Sequence, residues 1–274
     1  MDLHQLHQAL QQPPGSLGVL PEFAGLRPCF QVQWVKQTES TNHDLMAQMA
    51  SGAVAGTVLI AATQRAGRGQ WGRQWQSAAG GLYLSLGLRP EMTVERSLYL
   101  TLASAWGLAT SLANLGIPAQ VKWPNDLVVQ GRKLGGILTD TRVQGDRVQA
   151  VVVGLGLNVQ NPVPPTGISL GHLSKLPEPP PGPLNTLEGV AAVALYGLMQ
   201  GYSVWQNQGD QAFLALYQQR MTHLGQPVVI EDQSATVTGL APSGNLSVRV
   251  SSDGSCAPLE WEIKPGEVTL GYNA

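Results

Sequence analysis

The chain has 274 residues, of which 43% are hydrophobic and 12% are charged, with a formal net charge of −2 at pH 7 and a mean hydropathy near zero. This length accommodates one large domain, or one large and one small domain, around a substantial buried core. The nearly balanced charge excludes a general polyanion-binding surface, and no uncharged apolar run approaches the ~18 residues that a membrane span needs.

Residues 1–30 are weakly patterned and are predicted to form an N-terminal arm, with a short helix over residues 2–11 and an extended segment through the prolines at 13–14. The chain begins with an acid and polar residues, which does not fit a signal peptide. The arm is shorter than the roughly 50 residues that a separate DNA-binding domain requires. Cys29 and Cys256 lack the spacing of a disulfide framework or a thiolate metal site, so a reducing, cytoplasmic setting is predicted.

Residues 31–224 are predicted to form an α+β domain with a mixed sheet and flanking helices, because several predicted strands are joined by short turns. Residues 161–183 contain eight prolines, too many for a packed element, and are predicted to be a surface connection. The predicted strands span residues 31–35, 57–62, 82–88, 119–122, 127–130, 133–141 and 147–154. The first predicted helix begins at Ser40 or Thr41 and ends at Gly52. Three further helices are predicted over residues 98–115, 186–205 and 210–223.

Residues 225–274 differ in pattern from the preceding part of the chain. From Pro227 onward the sequence consists of short β runs separated by turns, including a turn at Asp253-Gly254. This pattern predicts a small all-β domain, which we interpret as an SH3-like barrel. The predicted strands span residues 228–231, 235–240, 246–250, 259–263 and 268–270.

Residues 65–75, Arg-Ala-Gly-Arg-Gly-Gln-Trp-Gly-Arg-Gln-Trp, are the glycine–arginine loop and the most informative segment of the chain. Glycine lets a backbone approach a ligand closely, arginine binds phosphate or carboxylate, and tryptophan presents a flat face to an aromatic ring. Residues 45–90 contain no Asp or Glu, so we expect nothing nearby to neutralise the arginines. The loop predicts a nucleotide-like ligand, and the alternative is a glycine-rich hairpin with solvated arginines. The residues behind this prediction are Arg65, Gly67, Arg68, Gly69, Trp71, Gly72, Arg73 and Trp75.

Three further motifs combine polar residues with predicted strands or helix ends. Glu39-Ser40-Thr41-Asn42 can cap a helix, and the same hydroxyl and amide groups can face a polar ligand. The segments 122–126 and 131–138 bring Lys122, Lys133 and Asp126 near one hairpin turn.

A lysine such as Lys133 suits an α-phosphate, and Asp126 is suited to hold Mg²⁺ or orient a lysine. Gly135-Gly136 in an apolar strand favours a ligand against that backbone, and the alternative is a hairpin with an ordinary surface lysine. Gly154-Leu-Gly156-Leu-Asn158 invites close approach of a ligand or of another strand, and an amide at its end suits a base edge.

These motifs, in this order, resemble the biotin protein ligase family. The motifs are Glu-Ser-Thr-Asn, Gly-Arg-Gly-x-x-Gly-Arg-x-Trp, Lys-Trp-Pro-Asn-Asp, Gly-Arg-Lys-Leu-Gly-Gly-Ile-Leu and Gly-x-Gly-x-Asn. The likeness is strong over residues 32–161 and weak after Pro227. It implies a catalytic domain of the class II synthetase and biotin ligase type over residues 31–224.

The resemblance implies an enzyme that joins biotin and ATP into biotinyl-5′-AMP with Mg²⁺. The enzyme then transfers biotin to a lysine of the biotin carboxyl carrier domain of acetyl-CoA carboxylase. Lys133, Arg68 and Asp126 are the implied catalytic residues, with Asp126 near the acceptor lysine or the metal. The implied biotin contacts are Ser40, Thr41, Asn42, Gln64, Gly136 and Ile137. The implied contacts to adenine or the adenylate are Gly67, Arg68, Gly69, Gln70, Arg73, Trp75, Lys133, Gly154, Gly156 and Asn158.

Two departures from the family pattern set further expectations. Gln70 stands where many relatives carry a second arginine, so either the adenylate is held less tightly or Arg73 compensates. The short arm leaves no room for the helix-turn-helix domain of some relatives, so we expect a ligase that binds neither nucleic acid nor membrane. The alternatives are a lipoyl or octanoyl ligase and a non-catalytic biotin or nucleotide sensor. The resemblance allows a monomer or a homodimer.

Overall fold

The fold is built around a seven-stranded mixed sheet and a second, four-stranded antiparallel sheet. The structure is a computed structural model, and it describes residues 1–173, 182–250 and 259–272. The predicted α+β class is confirmed. The predicted turn at Asp253-Gly254 and Cys256 lie outside the described residues. No helix in the described ranges is long and apolar enough to cross a membrane.

The large sheet consists of the strands β1 (Gln31–Thr38), β2 (Thr57–Gln64), β3 (Leu82–Leu88), β4 (Gln120–Lys122), β5 (Asp126–Val129), β6 (Arg132–Gln144) and β7 (Arg147–Leu157). Their order is β1-β2-β3-β7-β6-β5-β4, in which β1 and β2 pair in parallel and all other neighbours pair antiparallel.

Helices lie on both faces of the large sheet. They are α1 (Leu3–Leu10), α2 (Thr41–Ala50), α3 (Ser97–Asn114), α4 (Leu170–Leu173), α5 (Leu187–Gln208) and α6 (Asp210–Gln218). Alternate residues of β7 therefore enter different apolar clusters. Val151 and Val153 join the large cluster that contains residues of α3 and α5, whereas Ala150 and Val152 pack with Leu45 of α2.

The N-terminal residues pack onto the core. The prediction of an extended segment through the prolines at 13–14 is therefore wrong. After α1 the chain makes 3₁₀ turns at Pro14–Leu17 and Pro21–Phe23. Leu6 and Leu17 are fully buried, and the Tyr196 hydroxyl of α5 donates a hydrogen bond to the Leu10 carbonyl (3.0 Å). Burial of these leucines against α5 outweighs the solvation of an extended segment.

Two other predicted elements differ in the structure because tertiary pairing competes with local pattern. The helix predicted over residues 210–223 ends at Gln218, since the chain then runs beside β4 and the Arg220 carbonyl accepts from the Val121 amide (2.8 Å). Part of the proline-rich connection also packs inward: the Ile168 amide donates to the Lys133 carbonyl (2.9 Å), and Ile168 and Leu170 are buried.

The C-terminal sheet has the strand order β11-β10-β9-β8. Its strands are β8 (Pro227–Ile230), β9 (Gln233–Leu240), β10 (Leu246–Val250) and β11 (Leu259–Ile263). The strand predicted over residues 268–270 does not form. Instead Leu270 is buried in the core, and the Gly271 carbonyl lies 3.1 Å from His223 Nε2. The turn between β9 and β10 contacts the connection between β4 and β5 of the large sheet, because Trp123 Nε1 donates to the Gly244 carbonyl (3.0 Å).

Candidate active site

One cavity on the α2 side of the large sheet is bordered by residues from all the motif segments. The lining includes residues that sequence reasoning did not assign, namely Gln74, Asn125, Leu138 and Leu155. Of the predicted site residues, Gly67 and Asn158 do not line it. The predicted residues that do line it are Ser40, Thr41, Asn42, Gln64, Arg68, Gly69, Gln70, Arg73, Trp75, Asp126, Lys133, Gly136, Ile137, Gly154 and Gly156.

An ion pair between Lys133 and Asp126 lies on the cavity wall, with 2.6 Å between Nζ and Oδ1. The two residues come from neighbouring strands, β6 and β5, whose pairing shifts register between them. A methyl group at Gly136 would lie 3.1 Å from Asp126 Oδ1, so the glycine leaves room for the pair. Because Lys133 is more exposed than Asp126, its ammonium group remains available to a ligand anion.

Asp126 also binds two residues that were not predicted as site residues, Lys122 and Tyr272. The Tyr272 hydroxyl donates to Asp126 Oδ2, and Lys122 Nζ lies 4.0 Å from the same oxygen. The Lys122 ammonium lies 3.5 Å from the centre of the Tyr272 ring, a cation–π contact. Burial lowers the pKa of Lys122 to about 8, against the opposing attraction of Asp126. The Asp126 carboxylate therefore links the ammonium groups of Lys122 and Lys133.

A hydrogen-bond network fixes the start of α2 against the sheet. Ser40 is the helix N-cap, as predicted, and its hydroxyl accepts from the His43 amide (3.5 Å). Gln64 Oε1 accepts from the Thr41 amide (2.8 Å). Ser85, on the inward face of β3, donates to Asn42 Oδ1 (2.6 Å). Polar groups at the cavity wall are thus held in place by β2 and β3.

The glycines of β7 make room for side chains of other segments. A methyl group at Gly154 would lie 2.0 Å from Asn42 Oδ1, and one at Gly156 would lie 2.5 Å from Trp75 Nε1. The close approach to this strand is therefore made by the Asn42 amide and the Trp75 indole, whereas the sequence predicted a ligand or another strand there. Trp75 Nε1 is buried and has no hydrogen-bond partner among the described residues.

Asn158 is directed into the protein. Its Nδ2 donates to the Lys133 carbonyl (3.3 Å), and its Oδ1 accepts from Asn161 Nδ2 (3.0 Å). Both ends of the amide are therefore occupied by protein groups. The structure thus gives Asn158 a part in holding the backbone of Lys133.

The glycine–arginine loop folds back on itself beside the cavity. The Trp75 amide donates to the Gly67 carbonyl (2.9 Å), and the Gly69 amide donates to the Arg73 carbonyl (2.7 Å). The expectation that its arginines lack acidic neighbours is wrong. Arg68 Nη1 lies 3.4 Å from Asp140 Oδ2, a residue distant in sequence. Arg65 forms an exposed ion pair with Glu39, with 3.4 Å between Nη1 and Oε1.

Comparison with known proteins identifies the class of protein to which the chain is similar. Residues 34–158 match the model of the Biotin/lipoate A/B protein ligase family. The biotin–[acetyl-CoA-carboxylase] ligase of Paracoccus denitrificans is 31% identical over 234 residues, which cover 78% of this chain and 92% of that protein. The bifunctional ligase/repressor BirA of Bacillus spizizenii is 39% identical over 127 residues, which cover 46% of this chain and 38% of that protein.

A solved structure of a biotin protein ligase from Aquifex aeolicus, in complex with biotin and ATP, is also similar. It has a TM-score of 0.66 and 26% sequence identity, covering 89% of this chain and 99% of that chain. The present chain belongs to the biotin protein ligase family. The resemblance predicted from the motifs is thus confirmed. The chain spans well under half the length of the Bacillus relative.

Proposed function

We propose that the protein is an ATP-dependent ligase that forms biotinyl-5′-AMP and transfers biotin to a lysine of a biotin carboxyl carrier domain. The observation that carries the proposal is the Lys133–Asp126 pair, which shares one cavity with the glycine–arginine loop and the start of α2. The Aquifex structure described as a complex with biotin and ATP supports these two ligands.

In the first reaction, a biotin carboxylate oxygen bonds to the α-phosphorus of ATP while the bond to the β-phosphate oxygen breaks, releasing pyrophosphate. Both reactants are anions, so catalysis requires positioning and neutralisation of charge. Lys133 is suited to this task, because its ammonium is held by Asp126 and faces the cavity. Arg68 and Arg73 line the same cavity and add positive charge.

In the second reaction, the neutral ε-amino group of the acceptor lysine attacks the biotinyl carbonyl. The bond from that carbonyl to the AMP phosphate oxygen breaks, so that an amide forms, AMP leaves and the proton of the nitrogen passes to solvent. Asp126 is the one carboxylate among the cavity-lining residues in the described part of the chain. Its negative charge is therefore suited to attract the incoming amine, while its two oxygens stay bound to Lys133 and Tyr272. The reactive mixed anhydride must be shielded from water, a task that suits the glycine–arginine loop.

The predicted roles of the remaining site residues are part of the proposal. Ser40, Thr41, Asn42 and Gln64 offer a polar wall to biotin, with Gly136 and Ile137 beside it. We propose that adenine packs near Trp75, whose buried indole nitrogen lacks a partner among the described residues. Asn158 would act only through the Lys133 backbone, to which it donates a hydrogen bond.

Mg²⁺ is the metal that the family implies. In the described ranges no three His, Cys, Asp or Glu side chains cluster as a metal site. The oxygens of Asp126 already bind Lys133 and Tyr272. These residues do not fit a dedicated protein cage for the ion.

The test is ATP-dependent transfer of labelled biotin to the carrier domain of acetyl-CoA carboxylase. The control is a carrier domain whose acceptor lysine is replaced by arginine. Transfer to the intact carrier alone is expected. Because the family model also covers lipoate ligases, lipoate and octanoate are compared in parallel. Preferential transfer of either acid would contradict biotin specificity, and ligand binding without adenylate formation would indicate a sensor. The proposal includes a cytoplasmic enzyme acting as a monomer or homodimer.

A further inference from the structure

Trp71, at the tip of the glycine–arginine loop, has an unusual backbone conformation. Its φ and ψ angles are 58° and 38°, in the left-handed region that bulky residues seldom adopt. The following residue, Gly72, also has a positive φ, so the loop turns sharply at this point. A large aromatic residue at such a position is costly unless its side chain makes a compensating contact.

The contact is made with Gly266, in the segment that follows β11. A methyl group built at Gly266 would lie 2.6 Å from Cε2 of the Trp71 ring, so the indole lies directly against the glycine backbone. Gly266 has a φ of 98°, which also favours glycine. The rest of the Trp71 side chain is exposed, and the residue is 65% accessible overall.

The segment that carries Gly266 forms a closed turn and is anchored at its C-terminal end. The Lys264 amide donates to Glu267 Oε2 (2.7 Å), and the Glu267 amide donates to the Lys264 carbonyl (3.1 Å), closing a turn around Gly266. Beyond the turn, Leu270 is buried and Tyr272 donates to Asp126. Residues 264–272, the C-terminal segment, thus contact the loop at one end and the Lys133–Asp126 pair at the other.

We infer that Trp71 is a positioning residue, whose indole docks on Gly266 and so holds the glycine–arginine loop over the cavity. The C-terminal segment is the fixed side of this contact, because the hydrogen bonds of its turn and its anchors at Leu270 and Tyr272 involve no residue of the loop. Docking places Arg68, Gln70 and Arg73 at the cavity wall, where all three lie in this structure. The role of the loop in retaining an adenylate rests on the proposed function, whereas the docking contact itself does not.

Two variants remove the contact from opposite sides. Trp71→Ala deletes the ring, and Gly266→Ala places a methyl group where the ring now lies. The matched control is Gly225→Ala, because Gly225 precedes the same C-terminal sheet and has a φ of 76°, and a methyl group there would meet no atom within 4 Å. The control therefore introduces similar backbone strain but does not disturb the loop.

The first measurement is limited trypsin digestion of the protein without ligands, since Arg65, Arg68 and Arg73 are cleavage sites within the loop. We expect cleavage after these arginines to be roughly three- to tenfold faster in Trp71→Ala and in Gly266→Ala, as local opening becomes easier. Gly225→Ala should be cleaved at the wild-type rate. The double variant Trp71→Ala/Gly266→Ala should be no faster than either single variant, because both remove one contact.

The second measurement is the rate at which bound biotinyl-AMP is released. Faster release in both single variants, with normal release in Gly225→Ala, is expected. If the wild-type protein forms no biotinyl-AMP, the proposed function fails but the digestion still decides the docking contact. Digestion rates in Trp71→Ala equal to wild type, or additive effects in the double variant, would overturn the inference. Trp71→Ala provides this decision even if Gly266→Ala fails to fold.

Discussion

The Asp126 carboxylate binds Lys133 through Oδ1 and Tyr272 through Oδ2, so the last described residue of the chain reaches the centre of the candidate active site. Asp126 and Tyr272 are separated by 146 positions in sequence. The consequence is that the Lys133 ammonium group and the C-terminal segment are held by the same carboxylate.

Replacing Lys133 by alanine should lower the rate of biotinyl-AMP formation by about 10² to 10³ or more, because a preorganised charge at the reacting phosphate is lost. The measurement is ATP-dependent pyrophosphate release with saturating biotin. Lys36→Ala, at an exposed position on β1, is the matched control and should be unchanged. Near-normal release in the Lys133 variant would rule out the charge-neutralising role.

Adding a methyl group at Gly154 should displace the Asn42 side chain, because the Cβ would lie 2.0 Å from Oδ1. Asn42 would then lose its bonds to Ser85 and to the Leu138 carbonyl. We expect Gly154→Ala to lower the free energy of unfolding by about 1–3 kcal/mol, since buried polar groups lose partners. Its biotin affinity should also fall, as measured by calorimetry.

The control for this change is Gly25→Ala, because a methyl group at Gly25 meets no atom within 4 Å and the backbone there has no positive φ. The midpoint of urea unfolding should be the same for Gly25→Ala as for the wild type. Equal stability of Gly154→Ala and Gly25→Ala would show that the wall formed by Asn42 and β7 adapts freely.

The sequence predicted the convergence of the motifs better than it predicted their supporting contacts. The loop, the start of α2 and the β5–β6 hairpin meet at one cavity because local patterns define the strands that carry them. Strand β3 begins and ends at the predicted residues. By contrast, Asp140 approaches Arg68 across 72 positions, and no local pattern encodes such a pairing.

The errors have a common physical origin. Residues after Pro13 resemble a solvated arm in composition, yet the sparse leucines among them find a buried surface on α5. Likewise, Val268–Leu270 alternates like a strand, but burial of Leu270 and the bond between Gly271 and His223 direct the chain inward. Tertiary burial decides such short segments, whatever their local preference.

Protein stability should increase between about pH 8 and pH 10.5 through Lys122. Burial lowers the pKa of Lys122 to about 8 from 10.5, so in this interval the unfolded chain binds more protons than the folded one. Stability rises with pH wherever the unfolded state binds more protons. Asp126 opposes the shift, whereas Lys133 and Arg73 reinforce it.

Urea unfolding of the wild type and of Lys122→Met at several pH values would measure this contribution. The difference in unfolding free energy between the two proteins should change across the interval, with the wild type gaining relative to the variant as pH rises. Parallel pH profiles would mean that Lys122 is as well solvated in the folded protein as in the unfolded chain.

Gln70 lines the cavity together with Arg73, at the loop position where the family resemblance led us to expect arginine. Gln70→Arg should slow the dissociation of biotinyl-AMP, because a guanidinium group binds phosphate more strongly than an amide does. The gain should be about 1–2 kcal/mol, or roughly five- to thirtyfold in rate, if no other cation already fills the role. If Arg73 compensates, Arg73→Gln should accelerate dissociation, and Gln70→Arg should restore retention in that background while changing the wild type little. An unchanged dissociation rate in both backgrounds would show that position 70 does not contact the adenylate.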